Sequence, residues 1–178
     1  MEKRKLVIAG LGNPGKKYDN TRHNVGFAML DRFCESLGER FSTSSKSAVA
    51  KHLRENLSIF LIKPLQYMNL SGSSIAQLLR SNGIDSDNLV VIHDEIDFPY
   101  NRVKLKFSGG HAGHNGLRDI IKHLGTKDFH RIRVGVDKPE NKEDVADYVL
   151  APFSQSEKKQ LDAVFTEVQT ILDTWIQW

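Results

Sequence analysis

The stretch Asn88-Leu-Val-Val-Ile-His-Asp-Glu95 decides the fold of this 178-residue chain. Four consecutive apolar residues are followed at once by a histidine and two acids, so we predict a buried strand that ends in polar side chains. A strand that is apolar throughout is typical of a sheet covered by helices on both faces. Functional residues of such sheets gather where the strands end, and Asp94 is therefore a candidate site residue.

Strands and helices alternate on both sides of this stretch. Further strands are predicted over residues 6–9, 47–53, 57–63, 103–107 and 131–136. Apolar residues at helical spacing predict helices over 25–37, 71–82 and 116–124, and a long terminal helix after the capping box Ser154-Gln-Ser-Glu157. The pattern predicts an α/β fold, and since no linker or repeat interrupts it we expect a single domain over residues 1–178.

Composition and charge limit the class of protein. With 39% hydrophobic residues and no apolar run of about 18 residues, we predict one core and no membrane span. The single cysteine, Cys34, has no partner for a disulfide, so we expect a cytoplasmic protein. We expect a monomer because nothing in the sequence marks an exposed apolar face. Residues 102–142 contain ten Lys or Arg and four Asp or Glu, and this excess of positive charge is either a polyanion site or an ordinary solvated surface.

The segment Gly10-Leu-Gly-Asn-Pro-Gly15 follows the first strand with the glycine spacing of a dinucleotide-binding loop. In such loops a helix begins within the glycine run, whereas Pro14-Gly15 is typical of a turn and polar residues continue to Arg22. No strand ending in an acid follows at the required distance either. The sequence therefore argues against a nucleotide-binding oxidoreductase.

Two other polar segments each have a structural and a functional interpretation. Thr21-Arg-His-Asn24 precedes a helix, so Thr21 or Asn24 could cap it, or His23 could belong to a site. Ser108-Gly-Gly-His-Ala-Gly-His-Asn-Gly116 is either a tight turn or a loop whose backbone amides approach an anion or a carbonyl oxygen. Neither segment is specific by itself.

In combination the motifs are specific. Five of them occur in one order and spacing, namely Gly10-Leu-Gly-Asn-Pro-Gly15, Thr21-Arg-His-Asn24, Met68-Asn-Leu-Ser-Gly72, His93-Asp-Glu95 and Gly113-His-Asn-Gly-Leu117. From about Leu6 to the terminal helix the chain closely resembles bacterial-type peptidyl-tRNA hydrolase. The resemblance implies one α/β domain around a mixed central sheet with helices on both faces. It also implies an esterase, independent of metals and cofactors, that frees tRNA from peptides left attached when translation stops early.

The resemblance further implies roles for individual residues. His23 would take a proton from water, and Asp94 would accept the other N–H of its ring. The partner, peptidyl-tRNA, would contact the chain through its peptide backbone and its tRNA acceptor end. The residues implied to bind this substrate are Asn13, Tyr18, Met68, Asn69 and Asn115, and those implied to hold tRNA phosphate are Lys104, Lys106 and Arg133.

The chain departs from the family pattern at three positions that bear on loops. Ser108 and Ala112 stand where glycine is common, so the loop that contains them is expected to be stiffer. Asn101 stands where Pro-x-Gly is usual, but asparagine tolerates positive φ well, so we expect the turn to form.

Two alternative functions remain open at this point. A few plant relatives resemble RNA-binding splicing factors without hydrolase activity, so a non-enzymatic RNA-binding module is the first. The second is a metal-dependent amidase or peptidase, although no H-E-x-x-H pattern supports a catalytic zinc. Its ligands would be His93, Asp94, His111 and His114.

Overall fold

In the computed structural model, which describes residues 2–178, seven strands form one sheet in the order β2-β3-β4-β1-β5-β7-β6. The strands are β1 (Arg4–Gly10), β2 (Ser42–Thr43), β3 (Ser47–Arg54), β4 (Leu57–Pro64), β5 (Leu89–Glu95), β6 (Val103–Phe107) and β7 (His130–Gly135). The helices are α1 (Val25–Ser36), α2 (Gly72–Asn82), α3 (Asn115–Leu124), α4 (Val145–Val149), α5 (Gln155–Lys158) and α6 (Leu161–Ile176).

The sheet is mixed. β1 pairs in parallel with β4 and β5, and β5 pairs in parallel with β7. The β2-β3-β4 ladder and the β6-β7 pair are antiparallel and occupy the two edges. The predicted α/β domain with a mixed sheet is confirmed.

Helices cover both faces, also as predicted, and each face has its own core. Successive strand residues point to opposite faces, so Ile92 belongs to the core under α1 and α6, and Val91 belongs to the core under α2 and α3. Both side chains are fully buried, and each such burial stabilises the fold by about 1.5–3 kcal/mol. The interior strand β5 is therefore packed on both faces, which holds the backbone of Asp94 near its end in place.

The start of α1 is packed directly on the backbone of the sheet. A Cβ atom on Gly26 would lie 2.4 Å from the Ile92 carbonyl oxygen, and one on Gly10 would lie 2.4 Å from the Gly26 carbonyl oxygen. Only glycine allows this approach. It brings the residues just before α1, including His23, next to the end of β5.

The predicted long terminal helix is wrong in one respect, because it is interrupted. The capping box of Ser154 and Glu157 is present, but α5 ends at Lys158 and α6 begins at Leu161. The Glu157 carbonyl accepts the Tyr100 hydroxyl at 2.7 Å and the Gln160 N–H at 3.0 Å, and this three-residue spacing tightens the chain and ends α5. The short elements β2 and α4 were also not predicted, because neither is long enough to show a periodic pattern.

The turn at Asn101 forms as expected, with φ of 79°. Within residues 2–178, no helix combines the length and the apolar composition that crossing a membrane requires.

Candidate active site

Three side chains from distant parts of the sequence meet at the carboxyl end of β5. Asp94 is the penultimate residue of that strand, His23 lies in a 3-10 turn (Arg22–Asn24) before α1, and His114 is the N-cap of α3. β5 extends past the end of β1, since Gly10 is level with Ile92. The strands that follow β1 in the chain lie toward one edge of the sheet, and those that follow β5 lie toward the other edge. At such a change of direction an α/β sheet opens a crevice beyond the carboxyl ends of its strands.

Both histidines hydrogen-bond the same carboxylate. His23 Nδ1 lies 2.7 Å from Asp94 Oδ2, and His114 Nε2 lies 2.8 Å from Asp94 Oδ1. A carboxylate can only accept, so each of these nitrogens carries a proton. The Leu117 N–H donates to His114 Nδ1 at 3.3 Å, which agrees with that tautomer for His114. In neutral His23 the remaining nitrogen, Nε2, then has its lone pair available for a proton.

The electrostatics of the cluster follow from this arrangement. Burial alone would raise the pKa of Asp94, but the interactions with His23 and His114 outweigh it and hold that pKa well below its usual range. Burial would lower the pKa of His23, and the Asp94 charge and hydrogen bond reverse this, so the pKa is raised. Asp94 is thus a permanent anion that stabilises a positive charge on His23.

His93 contacts two members of the cluster, Asp94 and His114. Its Nδ1 donates to the backbone carbonyl of Asp94 at 2.8 Å, and its ring packs edge to face on His114 with centroids 5.1 Å apart. Burial, together with the nearby His114, lowers the pKa of His93 to about 3, so its ring is neutral.

Of the residues proposed for the metal-dependent alternative, Asp94 and His114 come together, but His93 and His111 do not join them as ligands. Among residues 2–178 the group with metal-ligand geometry is His23, Asp94 and His114, whose ligand atoms lie within 4.8 Å of one another. A metal on His114 Nε2 would require the proton on Nδ1, where the Leu117 N–H already donates. His111 instead accepts the Gly113 N–H through Nδ1 at 3.0 Å. The hydrogen bonds of His23 and His114 therefore fit N–H groups that point at Asp94 better than they fit a bound metal ion.

Asn13 is held in place by Asn24, a residue to which the sequence assigned only a possible capping role. The Asn13 N–H donates to Asn24 Oδ1 at 2.8 Å, and Asn24 Nδ2 donates to the Asn13 carbonyl at 2.9 Å. Asn24 makes no side-chain cap on α1. Asn13 Oδ1 accepts the Met68 N–H at 2.6 Å, so its Nδ2 group is what remains to donate to a ligand.

A cleft of about 620 Å³ opens above the cluster. Of the residues predicted for the site, those that line it are Asn13, His23, Met68, Asn69, Asp94, Lys106, Asn115 and Arg133. Tyr18 and Lys104 are not among the lining residues. The Tyr18 ring packs edge to face on Tyr67, which does line the cleft, at 6.3 Å between centroids. Lys104 lies directly across from Arg133 in the β6-β7 pair.

The cations on β6 and β7 share one face of the sheet, because Lys104 pairs with Arg133 and Lys106 pairs with Arg131. We call these four residues the cationic face. Arg131 is buried and donates to the carbonyls of Gly109 and Gly110 at 2.7 and 3.0 Å, so it supports the loop after β6. Arg133 donates through Nε to Glu95 at 2.8 Å, and both residues line the cleft.

Sequence reasoning missed several residues of this site. His114 was considered only as a metal ligand, although its place in the Gly-His-Asn-Gly motif at the start of a helix was a usable signal. Tyr67 directly precedes the Met-Asn-Leu-Ser-Gly motif. The wall of the cleft formed by α4 and its C-cap residue contains Val145, Ala146, Val149 and Leu150, and no pattern in the sequence indicated it.

Comparison with known proteins shows which family the chain resembles. The family model of peptidyl-tRNA hydrolase matches residues 7–178. The peptidyl-tRNA hydrolase of Rhodococcus opacus is 47% identical over 163 residues, which cover 90% of this chain and 86% of that protein. The one from Sulfurovum sp. is 44% identical over 162 residues, or 91% of this chain and 84% of that protein.

The crystal structure of peptidyl-tRNA hydrolase from Acinetobacter baumannii has a TM-score of 0.86 to this chain, with 32% identity, and covers 99% of this chain and 95% of that one. The match in sequence and the match in structure both extend over nearly the whole chain. On these grounds the chain belongs to the peptidyl-tRNA hydrolase family.

Proposed function

We propose that this member of the family hydrolyses the ester bond between a peptide, or an N-blocked aminoacyl group, and tRNA, with His23 as the general base and Asp94 as its orienting partner. The observation that carries the proposal is the 2.7 Å hydrogen bond from His23 Nδ1 to Asp94. This bond favours the tautomer in which Nε2 can accept a proton. His23 lines the cleft, where a substrate would bind.

In the proposed reaction, water attacks the ester carbonyl while His23 Nε2 takes one of its protons. Asp94 stabilises the imidazolium that forms, as the aspartate of a Ser-His-Asp triad does, with water in place of serine. The tetrahedral intermediate then expels the ribose oxygen of the tRNA, and His23 returns the proton to that oxygen. The products are a tRNA with a free hydroxyl and a peptide with a carboxyl group.

The amide side chains suit a substrate whose peptide varies. Asn69 and Asn115 are exposed at the cleft and are proposed to hold the peptide main chain, because an amide offers both a donor and an acceptor without charge. Asn13 has its oxygen bound to Met68, so its Nδ2 donor is proposed to meet an oxygen of the ester or of the terminal ribose. Met68 is proposed as an apolar wall, and Tyr18 is proposed to border the site through its contact with Tyr67.

The cationic face is proposed to bind tRNA phosphate through Lys104, Lys106 and Arg133. Phosphate contacts position a nucleic acid without reading its sequence, which fits an enzyme that accepts many tRNAs. Lys106 and Arg133 line the same cleft as the catalytic cluster, so a phosphate bound there would be close to the ester.

We also propose that the enzyme acts as a monomer in the cytoplasm. Residues of one chain suffice to line the cleft and to form the His23-Asp94-His114 cluster, which supports a monomer. The lone cysteine, Cys34, is buried and free, which is consistent with a reducing compartment.

The experiment that tests the proposal is release of N-acetyl-aminoacyl groups from tRNA in the presence of EDTA. The wild type should release them rapidly, and His23→Ala should lose about a hundredfold or more, the scale of a general base. His123→Ala is the matched control, because His123 lies outside the cleft and pairs with Asp119 on the surface of α3. Binding of tRNA without release by the wild type would refute hydrolysis and favour the RNA-binding module.

A further inference from the structure

Arg22, the residue directly before His23, makes contacts that the proposed reaction does not yet use. Its guanidinium forms a two-pronged ion pair with Glu157, with Nη2 to Oε1 at 2.8 Å and Nε to Oε2 at 3.1 Å. Only 11% of the Arg22 side chain and 14% of the Glu157 side chain are exposed. Because the ion pair is bidentate and mostly buried, its geometry is fixed, unlike that of most surface ion pairs.

The same guanidinium also holds α4. Arg22 Nη1 donates to the Tyr148 carbonyl at 3.0 Å, and the guanidinium carbon lies 4.1 Å from the centroid of the Tyr148 ring. The next residue of α4, Val149, lines the cleft. Arg22 therefore connects three parts of the chain, namely the turn that contains His23, the α4 wall and the start of α5.

The backbone of the turn adds two bonds to the same segment. The Arg22 N–H donates to the Ala151 carbonyl at 3.2 Å, and the Phe153 N–H donates to the Asn20 carbonyl at 3.0 Å. These bonds hold the chain before His23 alongside residues 151–153. The guanidinium is the contact that crosses from the turn to two helices.

Glu157 is well suited to anchor this contact. Burial would raise its pKa, but the hydrogen bonds from Arg22 and Ser154 outweigh the burial and keep the pKa below its usual value. Its Oε1 also accepts the Ser154 N–H at 2.7 Å within the capping box. Glu157 lies in α5 just before the interruption between α5 and α6, which the sequence did not predict.

We infer that Arg22, held by Glu157, is a positioning residue that sets the orientation of His23 relative to Asp94 and the cleft. The inference rests on the proposed function of His23. Arg22 does not line the cleft, so it acts through the turn and not on the substrate. Displacing a catalytic group by about 1 Å can reduce a rate by about a hundredfold, so loosening this turn is expected to lower kcat.

Two conservative variants test the inference. Arg22→Lys keeps a positive charge but cannot form the two-pronged pair. Glu157→Gln keeps a residue that completes a capping box but removes the negative charge. The matched control is Arg32→Lys, because Arg32 pairs with Asp162 at 2.7 Å and so joins α1 to α6 at an exposed position outside the cleft.

The kinetics to measure are kcat and KM for N-acetyl-aminoacyl-tRNA, alongside the temperature of unfolding. We expect kcat to fall about tenfold or more in Arg22→Lys and Glu157→Gln, with KM nearly unchanged, whereas Arg32→Lys retains the wild-type kcat. The double variant should lose little more than either single variant, since both break one contact. The downfield NMR signal of the His23 Nδ1 proton should weaken or shift in both single variants.

The outcomes separate this inference from the proposed function. If the wild type hydrolyses the substrate and the Arg22 variants match Arg32→Lys in both kcat and the His23 signal, the inference is overturned and the function stands. The same holds if kcat falls only in proportion to the fraction of protein unfolded. If the wild type does not hydrolyse the substrate, the proposed function fails and the inference fails with it.

Discussion

The His23-Asp94-His114 cluster and the two lysines of the cationic face, of which Lys106 lines the same cleft, are built in opposite ways. His23, Asp94 and His114 are joined by hydrogen bonds of 2.7 and 2.8 Å, and the Asp94 side chain is 2% exposed. Lys104 and Lys106 stand exposed on the edge strand β6. Groups that must transfer a proton need a fixed geometry and a controlled pKa, whereas groups that bind phosphate need only charge within reach. The difference suggests that chemistry and substrate positioning can be removed separately.

The largest expected effect comes from Asp94→Asn. An asparagine at this position can no longer accept from both histidines as a carboxylate does, so it stabilises neither the required tautomer of His23 nor the imidazolium that forms. We expect kcat to fall about 10³-fold or more, with KM for peptidyl-tRNA little changed. Asp162→Asn, at an exposed partner of Arg32, is the control and should be neutral. A loss below tenfold in kcat would show that Asp94 does not orient the base.

The pH dependence of kcat/KM has the next largest effect. A general base must be neutral, and Asp94 raises the pKa of His23 above its ordinary value of 6.5. Activity should therefore fall about tenfold per pH unit once the pH drops below that raised pKa, which is about a hundredfold two units below it. In Asp94→Asn only burial remains to act on His23, so the acid limb should move to lower pH.

Stability should respond to pH in the opposite direction at His23. Because the folded pKa is raised, the contribution of His23 to stability is fully present below its unfolded pKa and is lost as the pH rises through the folded pKa. Denaturant unfolding across this range measures it. In the kinetic profile, an acid limb of wild-type kcat/KM with its midpoint below pH 6.5 would contradict the coupling between His23 and Asp94.

The double variant Lys104→Ala with Lys106→Ala tests the other half of the comparison. We expect KM for peptidyl-tRNA to rise roughly tenfold and the salt dependence of binding to weaken by about two phosphate contacts. A small ester substrate should be hydrolysed as by the wild type. Lys122→Ala, which removes an exposed cation of α3 outside the cleft, is the control. Equal losses on both substrates would show that the cationic face is not a phosphate site.

The smallest effect concerns the loop that joins the two regions, from β6 to His114. Ala112 has φ of 48° there, a conformation that costs a residue with a Cβ. Ala112→Gly should raise the free energy of unfolding by about 0.5–1 kcal/mol. Ala163→Gly, at an exposed position inside α6, should lower it by about 1 kcal/mol. Thermal unfolding of both variants checks the sign, and destabilisation in both would mean that Ala112 is not strained.

The fold was predictable because its signals are local. The apolar run of β5, the alternation of β6 and the helical spacing in α2 and α3 each lie within about ten residues, and each element formed near its predicted bounds. The prediction failed at the end of α5, where the Tyr100 hydroxyl reaches Glu157 from 57 residues away. A contact across that separation leaves no periodic trace in the sequence.

The site was predictable to a different degree at each residue. The position of Asp94 at the end of a buried strand indicated a role before any comparison with a family. His23 gained its assignment only from the family resemblance, because an exposed histidine before a helix is unremarkable by itself. The structure now places its Nδ1 against Asp94, 71 residues further along the chain.

The sequence alone therefore determined most of the helices and strands, their order along the chain, and which residue types were available for chemistry. Hydrophobic periodicity and glycine positions are properties of neighbouring residues, so they can be read along the chain. Only the tertiary structure decided that His23 and His114 share Asp94 and that Arg22 reaches Glu157, 135 residues away. Hydrogen bonds and ion pairs depend on distance in space and not along the chain, and the packing of α1 and α3 on the sheet fixes that distance.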